Sequence, residues 1–409
     1  MPDDLRSRGR PALFTRNFVR LLVGQACFGY AFSSFFMLPK FLVTALGAGP
    51  IEIGWVASAY GVAVIGCLPA VGVFVDRFGR KLFLGSGALL MAAASLAFVG
   101  VTEIGPTVYL LRAIQGIAFA MVFIGGSTIV VNEAPPERLG QAIALFGLSM
   151  LAMNGAAAAG VEAISSASGW PAAFVVAAIA ASVCAILSRG LHDGAHVEPE
   201  DGDASLWQVA TRPSLVPMWI AITCIGAAMS SMVTYHQPFA IDLGIRNVSG
   251  FFVAYAAGSI VVRVGLGHVI DRAGRRRVAI GSALLYTGVV ASMASLESPS
   301  GLVWMGTGLG IAHGFFYPAS NSLAIDGVPG DERGKVMALF QGGFHLGFAT
   351  SAVGFGWLAE SFGYAPVFYG GAACAGVALV VLLGSRARPA PAPTRNGAEA
   401  DFGSEPVAP

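Results

Sequence analysis

The stretch Gly72-Val73-Phe74-Val75-Asp76-Arg77-Phe78-Gly79-Arg80-Lys81 closes one apolar run, and it returns as Gly267-His268-Val269-Ile270-Asp271-Arg272-Ala273-Gly274-Arg275-Arg276 at the close of another. Asp271 stands 195 residues after Asp76. Further along, Glu137-Arg138-Leu139-Gly140 with Ala144-Leu145-Phe146 returns as Glu332-Arg333-Gly334 with Ala338-Leu339-Phe340, one residue being lost after the arginine. Gly169-Trp170 with Phe174 returns as Gly363-Tyr364 with Phe368, at an offset of 194. Composition alone does not yield three matches in one order, so the chain reads as two copies of one unit.

The nature of the unit follows from its polarity. Of 409 residues, 55% are hydrophobic and 11% charged, against roughly 25% charged in a soluble domain; a water-soluble globular enzyme is excluded. A bilayer core about 30 Å thick takes about 20 mostly apolar residues per helix and leaves no backbone group unpaired. Twelve such runs are read, at 17–39, 51–75, 82–102, 107–131, 139–163, 170–189, 214–241, 249–270, 278–296, 301–325, 335–358 and 364–384. Most connections are short and carry Gly, Pro or charge. Residues 190–213 are polar and acidic (Asp193, Glu198, Glu200, Asp201, Asp203), without a sustained apolar face, and read as a cytoplasmic linker. The expected fold is an all-α integral membrane protein whose 12 transmembrane helices form two pseudo-symmetric six-helix bundles, at 17–189 and 214–384. A cytoplasmic segment, 1–16, precedes them, and a Pro- and Ala-rich tail, 385–409, is expected to be disordered.

Charge sets the orientation. Of the 24 Lys and Arg, all but Lys40, Arg112, Arg246 and Arg263 precede or open the first run, or fall at the even-numbered connections or in the tail. Basic residues stay on the cytoplasmic side, so both termini are expected there, in a multi-pass protein of the inner (cytoplasmic) membrane. The first run is too long for a signal-peptide core and is kept as a helix of the mature protein. The five cysteines (Cys27, Cys67, Cys184, Cys224, Cys374) lie in apolar stretches with no CxxC or Cys/His array, and read as buried thiols rather than disulfide or zinc ligands. No metal, cofactor or nucleic-acid footprint is visible, and no GxxxxGK[ST] loop for ATP is present.

Duplicated bundles of this kind hold a solute at the interface between repeats, near the membrane midplane, and work by rocking one against the other. Twelve helices, a 6+6 repeat and the paired GxxxDRxGRR/K motif resemble the major facilitator superfamily from about residue 17 to 384. In that family the motif sits at the cytoplasmic end of helix two and helps hold the outward-facing state by packing against the opposite half. The resemblance implies that Gly72 allows close helix contact and that Asp76 meets a helix N-terminus or an arginine. It implies that Arg77 and Arg80, beyond the turn at Gly79, clamp a gate. Gly267, Asp271, Arg272, Gly274 and Arg275 would be the second copy. The bare alternative is a pair of basic loops that only set topology.

Arg112, in Leu111-Arg112-Ala113-Ile114-Gln115-Gly116, resembles the RxxQG segment that the family carries on helix four, where the arginine of many proton-coupled members serves proton movement or substrate binding. A charge in that place costs several kcal/mol unless it meets a cavity or a partner; no acid stands mid-helix in the first or fourth run to pair with it. Arg263 in the eighth run has no repeat counterpart, because the same offset reaches Leu68. His313 and His345, near the middle of the tenth and eleventh runs, are candidate proton carriers or substrate hydrogen-bonding groups, the alternative being neutral rings bonded to carbonyls. His236 and Gln237, with Tyr235 just before Pro238, read as an outer gate or an interfacial belt. Gln25, Tyr30, Asn154, Tyr317, Asn321 and Gln341 complete the polar census. Phe28, Phe32, Phe315, Phe316 and Phe344 would make the cavity aromatic, suiting an amphipathic or lipophilic solute better than a sugar.

The functional expectation is secondary active transport of a small organic solute, outward and driven by protons, with the lipid bilayer and the solute as partners of a monomer. A drug antiporter of the usual type would carry Gly-Pro signatures on helix five; this chain has Met153-Asn154-Gly155. Two alternatives stand beside it: uptake of a metabolite or organic anion neutralised by Arg112 and Arg263, and a receptor of the same fold that binds without transport. No nucleophile and base pair at motif spacing suggests an enzyme.

Overall fold

The computed structural model describes residues 13–192 and 204–385. The segment 1–12, the acidic part of the linker and the tail from 386 lie outside the described residues, and with them the expectation of a disordered tail. Helices account for nearly all the rest. Helix α1 (Arg16–Ser34) passes through a 3-10 turn at Phe35–Met37 into α2 (Leu38–Leu46), making one span of 31 residues. Then come α3 (Pro50–Phe78), α4 (Arg80–Ala97), α5 (Pro106–Glu133), α6 (Leu139–Ser168) and α7 (Trp170–Arg189). A short α8 (Leu206–Ala210) precedes α9 (Val216–Asp242), α10 (Ser249–Gly265), α11 (Gly267–Ala273), α12 (Arg275–Ser292), α13 (Pro299–Ile325), α14 (Arg333–Phe362) and α15 (Ala365–Gly384).

Ten of these spans are long and apolar enough to cross a bilayer, and α10 with α11, bent by 57°, makes an eleventh. The one remaining expected run, the tenth in order, is α13, 27 residues long but diluted by Gly, Ser, His and Asn. Several starts use the same device: Pro sits in the first turn of α3, α5, α7 and α13, where its missing N–H is no loss.

Two expectations need correction. The first copy of the repeated motif is helical through Phe78, so Asp76 and Arg77 lie on the last turn of α3 rather than in a loop. The turn itself is one residue: Gly79 has φ 98° and Gly274 φ 87°, backbone that L side chains rarely adopt, which is why the motif needs glycine there. The second correction concerns the linker, which is not featureless. Ser205 and Gln208 cap α8 reciprocally, Val209 is fully buried, and Trp219 Nε1 donates to the Ala210 carbonyl at 3.1 Å. Of the cysteines, Cys184 is buried and the other four are half-buried.

Packing repeats as the sequence does. Helix α1 packs on α6 and α7 as α9 packs on α14 and α15; α5 packs on α3 and α4 as α13 packs on α10 and α12; α4 packs on α7 as α12 packs on α15. The two main contacts between halves, α3 with α14 and α6 with α10, are images of each other under the same exchange. Lipid offers no hydrophobic drive for helix association, so small residues bring backbones together. The Gly347 Cα faces the Thr223 carbonyl of α9 so closely that a Cβ would collide with it.

Candidate functional site

The helix ends sort onto two faces. One carries the start of α1 and the end of α15 and is called the terminal face; the other is called the distal face. Between the halves the seam is tight distally and loosens toward the terminal face. On α3, a Cβ at Gly54 would lie 2.5 Å from the Ala352 carbonyl oxygen, and one at Gly61 2.7 Å from the Ala349 Cβ. On α14, Gly356 is as close to the Pro50 carbonyl, 2.7 Å, whereas Gly342 and Gly334, further toward the terminal face, have nothing within 4 Å. Helix α6 repeats the gradient: 3.0 Å from Gly155 to the Val253 Cα, 4.0 Å from Gly147 to Arg263 Nη1, nothing within 4 Å of Gly140. The halves meet on the distal side and part toward the terminal side.

Two polar clusters face this seam. In the first, the Arg112 guanidinium on α5 lies 5.0 Å above the ring of Tyr60 on α3, and its Nη1 donates to Gln115 Oε1 at 2.7 Å. Arg112 Nε, Gln115 Nε2 and the Tyr60 hydroxyl are buried without a hydrogen-bond partner. Phe119 packs on Tyr60 and on Phe32, with centroids 6.0 and 4.8 Å apart. The His345 ring of α14 closes the group from the other half, 6.0 Å from both Tyr60 and Phe119.

The second cluster belongs to α10, α12, α13 and α14. His313 sits among Tyr255, Tyr286, Tyr317 and Phe344, at centroid distances of 6.0, 6.4, 5.5 and 6.2 Å, and its Nδ1 has no partner. The Tyr317 hydroxyl donates to Gln341 Oε1. Arg263, on the last turn of α10 before the bend, has a buried and unpartnered Nε. Neither Arg112 nor Arg263 is in an ion pair; among the described residues those are Lys40–Glu162, Arg212–Glu332 and Arg275–Asp326. Two cations, one from each half, thus keep a buried Nε without a partner, Arg112 over the Tyr60 ring and Arg263 at the end of α10. Leaving such groups unpaired and buried is costly, and a bound anion would relieve it.

The other expected residues separate. Gln25 Nε2 reaches only Met150 Sδ at 3.6 Å and Asn154 Oδ1 accepts from Ser33 Oγ at 2.7 Å, both inside the α1–α6 contact, while the Tyr30 hydroxyl abuts Gly160. Among the described residues no hydrogen bond or ring contact joins these three to either cluster, and Gln25 Oε1 is buried without a partner. His236 is fully buried, stacked on Phe251 at 4.1 Å, with its Nδ1 2.5 Å from the Met232 carbonyl oxygen. Gln237 spans the halves distally, donating to the Phe36 carbonyl at 2.6 Å and accepting from the Lys40 N–H at 3.3 Å. Tyr235 donates to the Ala352 carbonyl at 2.5 Å.

The repeated motif occupies the terminal face. The surroundings of Gly72 and Asp76 lie outside the described residues. Arg80 is 4% exposed and its guanidinium meets the Asn132 side-chain amide, whose oxygen accepts when the amide is oriented toward it. Arg77 lies 5.5 Å over the Phe78 ring. In the second copy Asp271 and Arg272 are exposed, and Arg275 Nη1 donates to Asp326 at 2.5 Å. Nearby, Arg212 grips Glu332 with two bonds of 2.8 and 3.0 Å. That hydrogen bond holds the Glu332 carboxyl below its ordinary range and raises Arg212.

The pattern of residues missed Tyr60, Phe119, Tyr255, Tyr286 and Glu162. One signal was available: the offset of 195 carries Tyr60 onto Tyr255, and 194 carries Gly116 onto Gly310. Each glycine lets a backbone reach the carbonyl of its tyrosine.

Comparison with known proteins agrees with this architecture. The sequence profile of the Major Facilitator Superfamily matches residues 21–304 and 247–408, and the chain belongs to that family. The relatives that carry this family's name and the solved structures of this fold are membrane-embedded transporters rather than enzymes. Multidrug resistance protein 3 of Bacillus subtilis (strain 168) is 31% identical over 112 residues, which is 26% of this chain and 22% of that one. The 3-(3-hydroxy-phenyl)propionate transporter of Escherichia coli (strain K12) is 22% identical over 63% of this chain and 65% of its own. A crystallised mutant of the nucleoside transporter NupG superposes with a TM-score of 0.76 at 14% identity, covering 90% of this chain and 98% of that one.

Proposed function

We propose that the chain moves a small organic anion with an aromatic or apolar body by alternating access, with the carboxylate or equivalent group held at Arg112. The observation that carries this reading is the buried, unpartnered donor set of Arg112, Gln115 and Tyr60 within an aromatic wall. A cationic drug would need a carboxylate there, and Arg112 has a neutral amide as its hydrogen-bond partner. The phenylpropionate transporter among the relatives supports an aryl carboxylate as solute class. The similarity to a multidrug resistance protein supports outward movement. His313 and His345 are the side chains through which protons would drive it, the setting being the cytoplasmic membrane with both termini inside. The two halves, 17–189 and 214–384, would be the moving bodies, and the motif residues Asp76, Arg77, Arg80, Asp271, Arg272 and Arg275 would close the terminal face in the opposite state.

The test is thermal stabilisation of the purified protein by 3-phenylpropionate against its uncharged amide, followed by flux in proteoliposomes with and without a pH gradient. Stabilisation by the acid alone, with gradient-dependent flux, is expected. Equal stabilisation by both would remove the anion assignment, and binding without flux would make the chain a receptor.

A further inference from the structure

The distal seam contains a charge pair that neither the cavity nor the repeated motif uses. Glu162, on α6 two turns before its end, is 8% exposed. Its carboxylate accepts from Lys40 Nζ of α2 at 2.5 Å, and from the backbone N–H of Val248 and of Ser249, each at 3.0 Å. Lys40 Nζ in turn donates to the Arg246 carbonyl at 2.6 Å. Lys40 and Glu162 belong to the first half, whereas in the second Arg246 and Val248 lie in the connection between α9 and α10 and Ser249 opens α10. The pair therefore acts as one two-ended group, offering a donor to one backbone carbonyl of the other half and an acceptor to two of its amides.

We propose that the Lys40–Glu162 pair is the distal latch of the transport cycle, which must release the α9–α10 connection whenever the distal face opens. The argument is physical. Charge-assisted bonds are about twice as strong as neutral ones, and this pair directs them at backbone groups of a connection that would otherwise need water. Gln237 lies beside it with its bonds to the Phe36 carbonyl and the Lys40 N–H, so the latch and a neutral clasp share Lys40. Neither Lys40 nor Glu162 matches its repeat counterpart: the offset of 195 takes Lys40 to Tyr235, and the offset of 194 that holds beyond the lost residue takes Glu162 to Gly356. The latch therefore belongs to one of the two symmetry-related contacts between halves, α6 with α10. The other, α3 with α14, has at its distal end the neutral Tyr235 hydroxyl, which donates to the Ala352 carbonyl within its own half and lies 3.5 Å from the Pro50 carbonyl oxygen of α3. The proposal rests on alternating access but not on the solute class, and its test contains no solute.

Spin labels on Thr44→Cys and Leu243→Cys, both exposed on the distal face, report the separation of the halves in nanodiscs once the native cysteines are replaced by alanine. Glu162→Gln and Lys40→Met are each expected to raise the ratio of long to short distances on the order of tenfold. Glu52→Gln is the control, because that carboxylate caps its own helix by accepting from the Gly49 N–H at 2.9 Å; no change is expected. Unaltered distances in both latch variants would overturn the proposal, as would an equal change in the control. Lys40→Met leaves Glu162 and its backbone bonds in place and serves where the glutamate variant does not fold.

Discussion

The distal and terminal faces of this protein are built from the same repeated helices, yet they are joined in different ways. Distally, glycines put α3 against α14 and α6 against α10 at van der Waals limits, and Gln237, Lys40 and Glu162 reach backbone groups across the seam. On the terminal face, Glu133 takes Thr15 and Asn17, Arg275 takes Asp326, and Arg276 takes the carbonyls of Leu382, Leu383 and Ser385, each within its own half. Close backbone contact suits a seam that must open without exposing many charges. Within-half bonding leaves the motif arginines of the open face in a position to change partners. The difference teaches that pseudo-symmetric halves can be joined by different chemistry at their two ends.

The sharpest way to break this comparison is to overfill the tight face. Gly54→Leu places atoms where the Ala352 carbonyl and the Tyr235 hydroxyl already lie. Overpacking costs about 1–3 kcal/mol, so the distal-closed state should lose roughly 5- to 150-fold in population and flux should fall accordingly. Gly342→Leu, where nothing lies within 4 Å, should leave distal closure intact. Distance measurements across the distal face for the two variants check this, and equal effects would erase the contrast between faces.

The site between the faces comes next. Arg112→Ala should weaken binding of 3-phenylpropionate by about 2 kcal/mol or more, the scale for removing one partner of a buried charge contact. Arg112→Lys should recover only part of it, since an ammonium lacks the planar fork. Titration calorimetry on both variants decides, and unchanged affinity in Arg112→Ala would move the anion site to Arg263.

A smaller, several-fold loss is expected from Asp76→Asn, with membrane insertion unchanged; an undiminished transport rate would leave the motif a topology signal. Asp271→Asn should cost less, because α11 is a separate exposed helix bent away from α10, whereas the first copy continues α3. For the histidines, His313→Ala or His345→Ala should abolish gradient-driven accumulation and spare counterflow exchange. Loss of both together would indicate substrate contact or folding instead.

Much of this was legible before any coordinates. The 195-residue offset, the apolar runs and the basic loops carry two pseudo-symmetric halves, because each depends on local composition and on sequence compared with itself. Arg112 was legible because an arginine in an apolar run is costly wherever it points. What stayed hidden depends on partners far apart in sequence. Glu162 reads as a polar interruption near a helix end until Lys40, 122 residues earlier, and Val248, 86 residues later, are placed beside it. Gln25 and Asn154 read only as polar interruptions of an apolar run until Met150 and Ser33 are placed beside them, since periodicity gives a face but not which neighbour covers it. The α8 helix escaped because five residues are too few to show a period.

The linker supplies the smallest effect and the one with a pH sign. Arg212 ties the start of α9 to Glu332 ahead of α14, and Lys335 Nζ donates to the Ala204 carbonyl at 3.0 Å, so α8 is held to the terminal face by charge rather than by a seam. The hydrogen bond from Arg212 sets the Glu332 carboxyl below its ordinary range. A carboxyl lowered in the folded state contributes fully above its ordinary value, and that contribution is lost as pH falls through the lowered one. The tie should accordingly be constant through neutral pH and fail only in acid. Glu332→Gln should remove it at every pH. Backbone amides of 204–212 should then exchange roughly threefold faster by hydrogen–deuterium exchange at pH 7, with distal-face peptides unaffected. Acceleration at both faces would mean that the linker is coupled to the seam.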